Sequence, residues 1–345
     1  MAAESEETFV FSYTEDDFHF NCSNTGSKFD DEVFKRWDNA MESGCFKYNL
    51  DSVQRRIIPG KYNFVAQLNE KRFTQRRVPQ NITSLKQPYN AEKFNFTKVP
   101  KKEVLLALCE KHQESLGRNI VVINVSPLEY GNILFVPDAD GQFPQVLTER
   151  AIRLSIEMML LSGKRDFRIG FNSLCAFASV NHLHLHAFYT PYVLPMESVG
   201  VSHICDGLYE TVNYPITAFV LECFDTENIA TVSSRIHKVT SYLHNNELAH
   251  NVFFTRGQRL SEENNSDTND VIRIFIWVRK PSTGIKNENV FNIAVCELGG
   301  FLPIKERSWY ENMTEEDVCD KLKSAALDSE QFELIRNEIS QVVGQ

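Results

Sequence analysis

The sequence predicts an α+β fold in which antiparallel sheets carry packed helices, arranged as two related halves. Three observations predict it. Residues 120–189 read in the order strand, strand, helix, strand, strand. A looser echo of that order returns between residues 218 and 296, without an exact repeat of fixed period. The chain also has the length of two domains, with 345 residues of which 42% are apolar and 24% charged, an ordinary globular composition. The boundaries expected are a flexible acidic tail over 1–28, a first half over 29–200, and a second half with C-terminal helices over 201–345.

The elements follow in order. The first 28 residues are polar and acidic with no sustained period, hence the loosely held tail. Residues 30–44 show amphipathic spacing closed by Gly44, a short helix. Phe64 to Leu68 (FVAQL) reads as a strand. RRVPQNITSLKQPYNAEKFNFTKV is basic, polar and interrupted by proline, a loop able to wrap something anionic. IVVINV from Ile120 is a β-branched buried strand, SPLEYGN is turn chemistry, and ILFV from Ile133 is a second strand stopped by Pro137, together a hairpin. Residues 147–163 carry apolar positions at helical spacing with Gly163 as the stop. FRIGF (167–171) and VNHLHLHAFY (180–189) complete the first half. In the second, strands are expected at 218–223, 251–255, 271–278 and 291–296, a helix within 228–245, an acidic surface loop at 261–270, and amphipathic helices from Thr314.

Several function classes are excluded early. The formal charge of -10 argues against a general nucleic-acid binder, which needs a basic face. No apolar run approaches the roughly 18 residues of a membrane span. The acidic start lacks the basic and apolar regions of a signal peptide. Eight scattered cysteines without a CxxC read as reduced thiols, so a cytoplasmic protein is expected. There is no P-loop and no GxGxxG, and no cofactor is expected.

The segment that carries chemistry is ASVNHLHLHAFY. On a strand His182, His184 and His186 would share one face and Leu183, Leu185 and Ala187 the other, with successive imidazoles about 6.6 Å apart. The apolar face would dock on the helix at 147–163, leaving the imidazoles to solvent or a ligand. Four readings stay open at this point. The rings are structural; or two of them hold zinc; or the protein is a regulatory scaffold with a degenerate site; or the middle imidazole is a nucleophile toward phosphorus. No four-ligand set accompanies them, since His203, His237, His244 and His250 are dispersed, so no metal is expected.

His182 to Phe188 matches the histidine-triad signature, His-φ-His-φ-His-φ-φ. Together with GFNSL, ASVN, INVSPLEYGNILFVP and RRVPQ…KQPYN…KFNFTK, it resembles the GDP-hexose phosphorylases, relatives of galactose-1-phosphate uridylyltransferase in the histidine-triad superfamily. The likeness runs from about residue 45 to 310. His186 stands where the plant members typically carry Gln, which favours the animal branch. Leu183 and His186 depart from the His-Pro-His…Gln of the uridylyltransferases.

The resemblance implies histidine-triad-like sheets, with the triad in the first half, and phosphorolysis of GDP-D-glucose by inorganic phosphate, giving glucose 1-phosphate and GDP through a guanylyl-histidine. It implies His184 as nucleophile, His186 as donor to phosphate oxygens and helper of the leaving oxygen, and His182 as orienter. Asn172 and Ser179 would contact phosphates and Asn124 the ribose hydroxyls. Asn132 stands where many triad proteins have a histidine. Arg76, Arg77, Lys86 and Lys98 are candidates for the diphosphate or the acceptor phosphate. The alternatives are a triad hydrolase, with water as acceptor, and a non-enzymatic nucleotide-binding protein. A homodimer, the hexose preferred and the residues that read guanine are left open.

Overall fold

The structure, a computed structural model, describes residues 8–22, 25–111, 117–260, 270–284 and 290–344. In chain order the first half contains β1 (Val10–Tyr13), α1 (Lys28–Glu42), β2 (Gln54–Ile57), β3 (Val65–Leu68), α2 (Glu70–Thr74), β4 (Val104–Glu110), β5 (Asn119–Ile123), β6 (Ile133–Val136), α3 (Glu149–Leu161), β7 (Phe167–Asn172) and β8 (Leu185–Tyr189). The second contains β9 (Val201–Cys205), β10 (Leu208–Thr211), β11 (Phe219–Cys223), α4 (Ile229–Asn245), β12 (His250–Gly257), β13 (Val271–Val278), α5 (Val295–Leu298), β14 (Phe301–Ile304), α6 (Arg307–Asn312), α7 (Glu315–Lys323) and α8 (Ser329–Gly344).

The echo seen in the sequence is a true repeat of connectivity. β4-β5-β6-α3-β7-β8 is followed by β9-β10-β11-α4-β12-β13, and both build one eleven-stranded sheet in the order β1-β4-β5-β6-β8-β7-β12-β13-β11-β10-β9. The halves join where β7 and β12 pair antiparallel, Asn172 opposite Asn251 and Gly170 opposite Phe253. All pairs in this sheet are antiparallel except β1 with β4.

Alternation along the strands decides what covers each face. One face presents Leu185, Ala187, Ile169, Phe171, Val252, Phe254, Ile274 and Ile276 to α1, α3, α4 and α8 in a single apolar core. Helix α3 forms because Thr148 caps it by accepting the Ala151 amide, and Ile152, Ile156 and Met159 then fall on its buried side. Helix α1 starts at a capping box of Ser27 and Asp30 and buries Phe29, Val33, Trp37 and Ala40 at helical spacing. The opposite face presents Phe188, Phe253, Phe275 and Trp277 to a three-stranded sheet, β14-β3-β2, and to α5, α6 and α7.

Three expectations need correction. The stretch 1–28 is not wholly a loose tail. Val10–Tyr13 adds a parallel strand against Ala107–Glu110, and the Tyr13 hydroxyl donates to buried Glu157 at 2.6 Å. Residues 291–296 are not a strand; they lead into the short helix α5. The histidine strand begins at Leu185, not at Val180. Its partner β6 pairs Phe135 with Leu185 and ends one residue later, before Pro137, so residues 180–184 have no ladder to join. Their amides are taken elsewhere: Asn181 by the Gln80 side chain, Leu183 by the Phe143 carbonyl, His184 by the Gln145 side chain. Of the acidic loop expected at 261–270, residues 261–269 lie outside the described residues.

Candidate active site

A cleft opens on the sheet face away from α3, at the start of β8. His184 and His186 line it, their ring centroids 5.4 Å apart. Because His184 precedes the regular strand, its ring is held by the loop before α3. Its Nδ1 lies 2.8 Å from the His182 carbonyl and 2.9 Å from Gln145 Oε1, both acceptors, so Nδ1 carries the proton. The lone pair is therefore on Nε2, on the side of the ring left to the cleft.

Gln145 is used completely. Its oxygen also accepts the His184 amide at 2.9 Å, and its nitrogen donates to the carbonyls of Asn172 at 2.9 Å and His184 at 3.0 Å. Burial lowers the His184 ring to about 4, against the opposing pull of the His182 carbonyl. At neutral pH the ring is uncharged and its Nε2 lone pair is free. His186, lowered well below its usual value by burial and by its neighbours His184 and Arg72, is neutral as well.

His182 does not line the cleft. Its ring is fully buried between Tyr89 and Phe96, with Nδ1 accepting the Phe96 amide at 2.9 Å. Phe96 in turn lies 4.9 Å from the His184 ring. His182 thus orients the site twice, through its carbonyl to His184 Nδ1 and through its ring to Phe96.

The cations divide sharply. Arg76 lines the cleft, exposed, with no hydrogen bond or ion pair to the described residues. Burial of part of the side chain and the nearby Arg72 lower it. Arg72, also in the lining, donates to the Ser126 carbonyl. Arg77 lines the cleft but is paired with Glu103 and lies over the Phe94 ring. Among the described residues no group of three or more His, Cys, Asp or Glu is placed to hold a metal ion.

Profiles described as "GDPGP1-like, N-terminal domain" and "GDPGP1-like, C-terminal domain" match residues 28–188 and 195–345. The GDP-D-glucose phosphorylase 1 of Danio rerio is 40% identical over 96% of this chain and 97% of its own. That of Homo sapiens is 39% identical over 92% of this chain and 85% of its own. The chain belongs to the GDP-D-glucose phosphorylase family. A GDP-L-galactose phosphorylase of Arabidopsis thaliana is more distant, at 28% over 90% of this chain and 76% of its own. Yeast Ap4A phosphorylase Apa2 shares the fold, with a TM-score of 0.61 at 13% identity over 88% of this chain and 99% of that one.

In this member of the GDP-D-glucose phosphorylase family the expected site residues fall into three groups. His184, His186, Asn172, Asn124, Ser179, Arg76 and Arg77 meet in one cleft. Besides His184 and Arg77, both asparagines are already engaged. Asn124 donates to Asn132 Oδ1 and accepts the Ser126 amide, fixing the hairpin turn. The Asn172 oxygen accepts from Asn251 Nδ2 at 2.7 Å and from the Val295 amide at 2.9 Å, leaving its NH2 as the donor toward the cleft. Asn132 is wholly buried and ties the hairpin to β8 through the Ala187 carbonyl. Lys86 and Lys98 do not belong to the cleft. Lys86 bonds the Asn245 carbonyl, and Lys98 bonds those of Glu92 and Lys93.

Sequence reasoning missed three contributors. Arg72 lies on α2, which ends at Thr74 before Arg76, and its place as the first of three arginines in RFTQRR was a usable signal. Gln145, a single amide in FPQVL, had none. Asn292, Val295, Cys296 and Glu297 bring the second half into the same cleft.

Proposed function

We propose that this chain phosphorolyses GDP-glucose by two in-line displacements at the phosphorus that bears guanosine. In the first, His184 Nε2 bonds that phosphorus and the bond to the bridging oxygen breaks, releasing glucose 1-phosphate. In the second, an oxygen of inorganic phosphate bonds the same phosphorus, the P–N bond breaks, and GDP leaves with the ring neutral again. The observation that carries this reading is the pinning of His184 Nδ1 between two acceptors, which leaves an uncharged ring with its nucleophilic nitrogen on the cleft. The names of the relatives supply the substrate.

The other residues act by position and charge. As the P–N bond forms, the ring gains positive charge, and the His182 carbonyl and Gln145 oxygen stabilise it through Nδ1–H. Arg76 and Arg72 offset the phosphate charge. His186, whose ring has no hydrogen-bond partner among the described residues, donates to a phosphate oxygen or to the leaving oxygen, as does the exposed Ser179 hydroxyl. All eight cysteines are free thiols, which supports a cytoplasmic setting. Among the described residues no helix is long and apolar enough to cross a membrane.

The test is intact-mass analysis after incubation with GDP-glucose and no phosphate. A single guanylyl addition is expected, discharged as GDP when phosphate is added and absent from His184→Asn. A fully active enzyme that never carries the adduct overturns the covalent scheme. Release of GMP, independent of phosphate, would make the protein a hydrolase.

A further inference from the structure

We infer that the stretch Asn292–Glu297 forms the hexose subsite, where the Asn292 amide oxygen and the Glu297 carboxylate accept hydrogen bonds from sugar hydroxyls. This rests on the phosphorolysis reading above and deepens it.

Four observations carry it. Glu297 is the single carboxylate among the described side chains lining a cleft otherwise rich in cations and neutral donors. Its negative form would repel phosphate, which suits the group to an uncharged part of the substrate. One of its oxygens accepts the Ala294 amide at 3.0 Å, which holds the group in place. Second, the Asn292 side-chain oxygen is buried without a partner, an acceptor waiting for a donor. Third, the stretch is packed directly beside the reacting centre. Gly170 pairs with His186, and a Cβ at Gly170 would come within 2.6 Å of Val295 Cγ1. Only glycine lets α5 approach the histidine this closely.

The fourth observation separates sugar from base, since guanine also offers N–H donors. The His184 ring has neighbours of two chemical kinds. Phe96 lies 4.9 Å from it and meets Phe94 edge to face, an apolar border suited to a flat base. His186 lies 5.4 Å from it, and Val295 of α5 packs against the Gly170 that pairs with His186. With the base assigned to the phenylalanines, the hexose is assigned to Asn292 and Glu297. Burial pushes the Glu297 carboxyl up to about 7, so accepting hydroxyl donors replaces the solvation it lacks.

Double displacement makes the subsite separable, because kcat/KM for each substrate reports only its own half of the cycle. Glu297→Gln keeps an oxygen for the Ala294 amide, and Asn292→Ala is the second variant; a thermal midpoint checks each for folding. Each should lower kcat/KM for GDP-glucose by about 10–100-fold and compress the preference for GDP-glucose over GDP-mannose. kcat/KM for inorganic phosphate, which has no hexose, should stay within about twofold in the same proteins. Equal losses for both substrates overturn the proposal. So does a change confined to the preference for guanine over hypoxanthine, tested with IDP-glucose. If the wild-type protein itself forms no GDP from GDP-glucose and phosphate, the phosphorolysis reading fails first.

Discussion

β8 and β13 hold the same place in the two repeats, yet one borders a reactive cleft and the other is closed. On the face away from the helices β8 carries His186 and Phe188, and β13 carries Arg273, Phe275 and Trp277. β13 runs for eight residues, pairing along its length with β12 and over residues 272–276 with β11. Its aromatic rings are buried, and the Arg273 guanidinium donates to the carbonyls of Met196 and Val199. β8 runs for five residues, and the backbone before it is bound by side chains and loop carbonyls instead of a strand. β13 leaves no room for a ligand on this face because Phe275 and Trp277 are packed there against the core, not because its amides are paired. The reactive half arises by shortening the strand and fixing its irregular approach with polar side chains.

That contrast makes Gln145 the position where the site is most easily broken. Gln145→Ala removes the second acceptor at His184 Nδ1 and leaves the Asn172 and His184 carbonyls without their donor. We expect a loss of about 100-fold in kcat, the size of effect produced by a misplaced reacting group. KM for GDP-glucose should change by less than about threefold. Gln145→Glu keeps an acceptor at Nδ1 but sets a negative charge beside the ring, which favours the protonated imidazole. Its activity should therefore fall off at higher pH on the acid side than the wild type's. An alanine variant with unimpaired kcat would mean that the His182 carbonyl alone fixes the ring.

Much of the scaffold was legible because it obeys local periodicity. β5, β6, α3, β7, β11, α4, β12 and β13 all lie where apolar spacing predicts them. Of the three histidines that the spacing of two singled out, His184 and His186 line the cleft, whereas His182 is buried beside it. What was hidden depends on partners far apart in sequence. The strand carrying the histidines is short because β6 stops at Pro137, fifty residues earlier. Phe291 to Cys296 resembles a strand by composition, but Asn172 captures the Val295 amide and the chain turns into α5. Charge in the 76–98 loop could be counted, yet nothing local shows which ammonium groups carbonyls will occupy.

The cations sharpen the same comparison. In the second half Arg256 is spent on the carbonyls of His19, Phe20 and Met159, as Arg273 is on Met196 and Val199. Among the four expected cations, Arg76 alone lines the cleft with no hydrogen-bond or ion-pair partner among the described residues. Arg76→Ala should raise KM for phosphate by about tenfold, the cost of one charge-assisted contact. Lys86→Ala and Lys98→Ala should leave it within about twofold, since neither ammonium reaches the cleft. Steady-state kinetics with phosphate varied at saturating GDP-glucose reads all three. A comparable rise in the Lys98 variant would place the anion elsewhere along the loop.

The smallest expected effect compares two buried histidines, one in each half. Burial lowers both His182 and His250 to about 4, and each ring bonds backbone, to the Phe96 amide and the Leu248 carbonyl respectively. An unfolded histidine titrates near 6.5, so between about pH 6.5 and 4 the unfolded chain binds a proton that the folded ring refuses. Stability therefore falls as pH drops through that window, by up to about 1.4 kcal/mol per pH unit for each ring, and is unaffected by either ring above it. His182→Asn, whose amide oxygen can still accept from Phe96, and His250→Gln should each remove that slope from urea unfolding measured between pH 6.5 and 4.5. The two variants should part company in activity. His182 supports Phe96 against His184, the proposed nucleophile, so its variant should lose several-fold in kcat, whereas the His250 variant should not. Equal activities would reduce His182 to a packing residue whose carbonyl, and not its ring, matters to the chemistry.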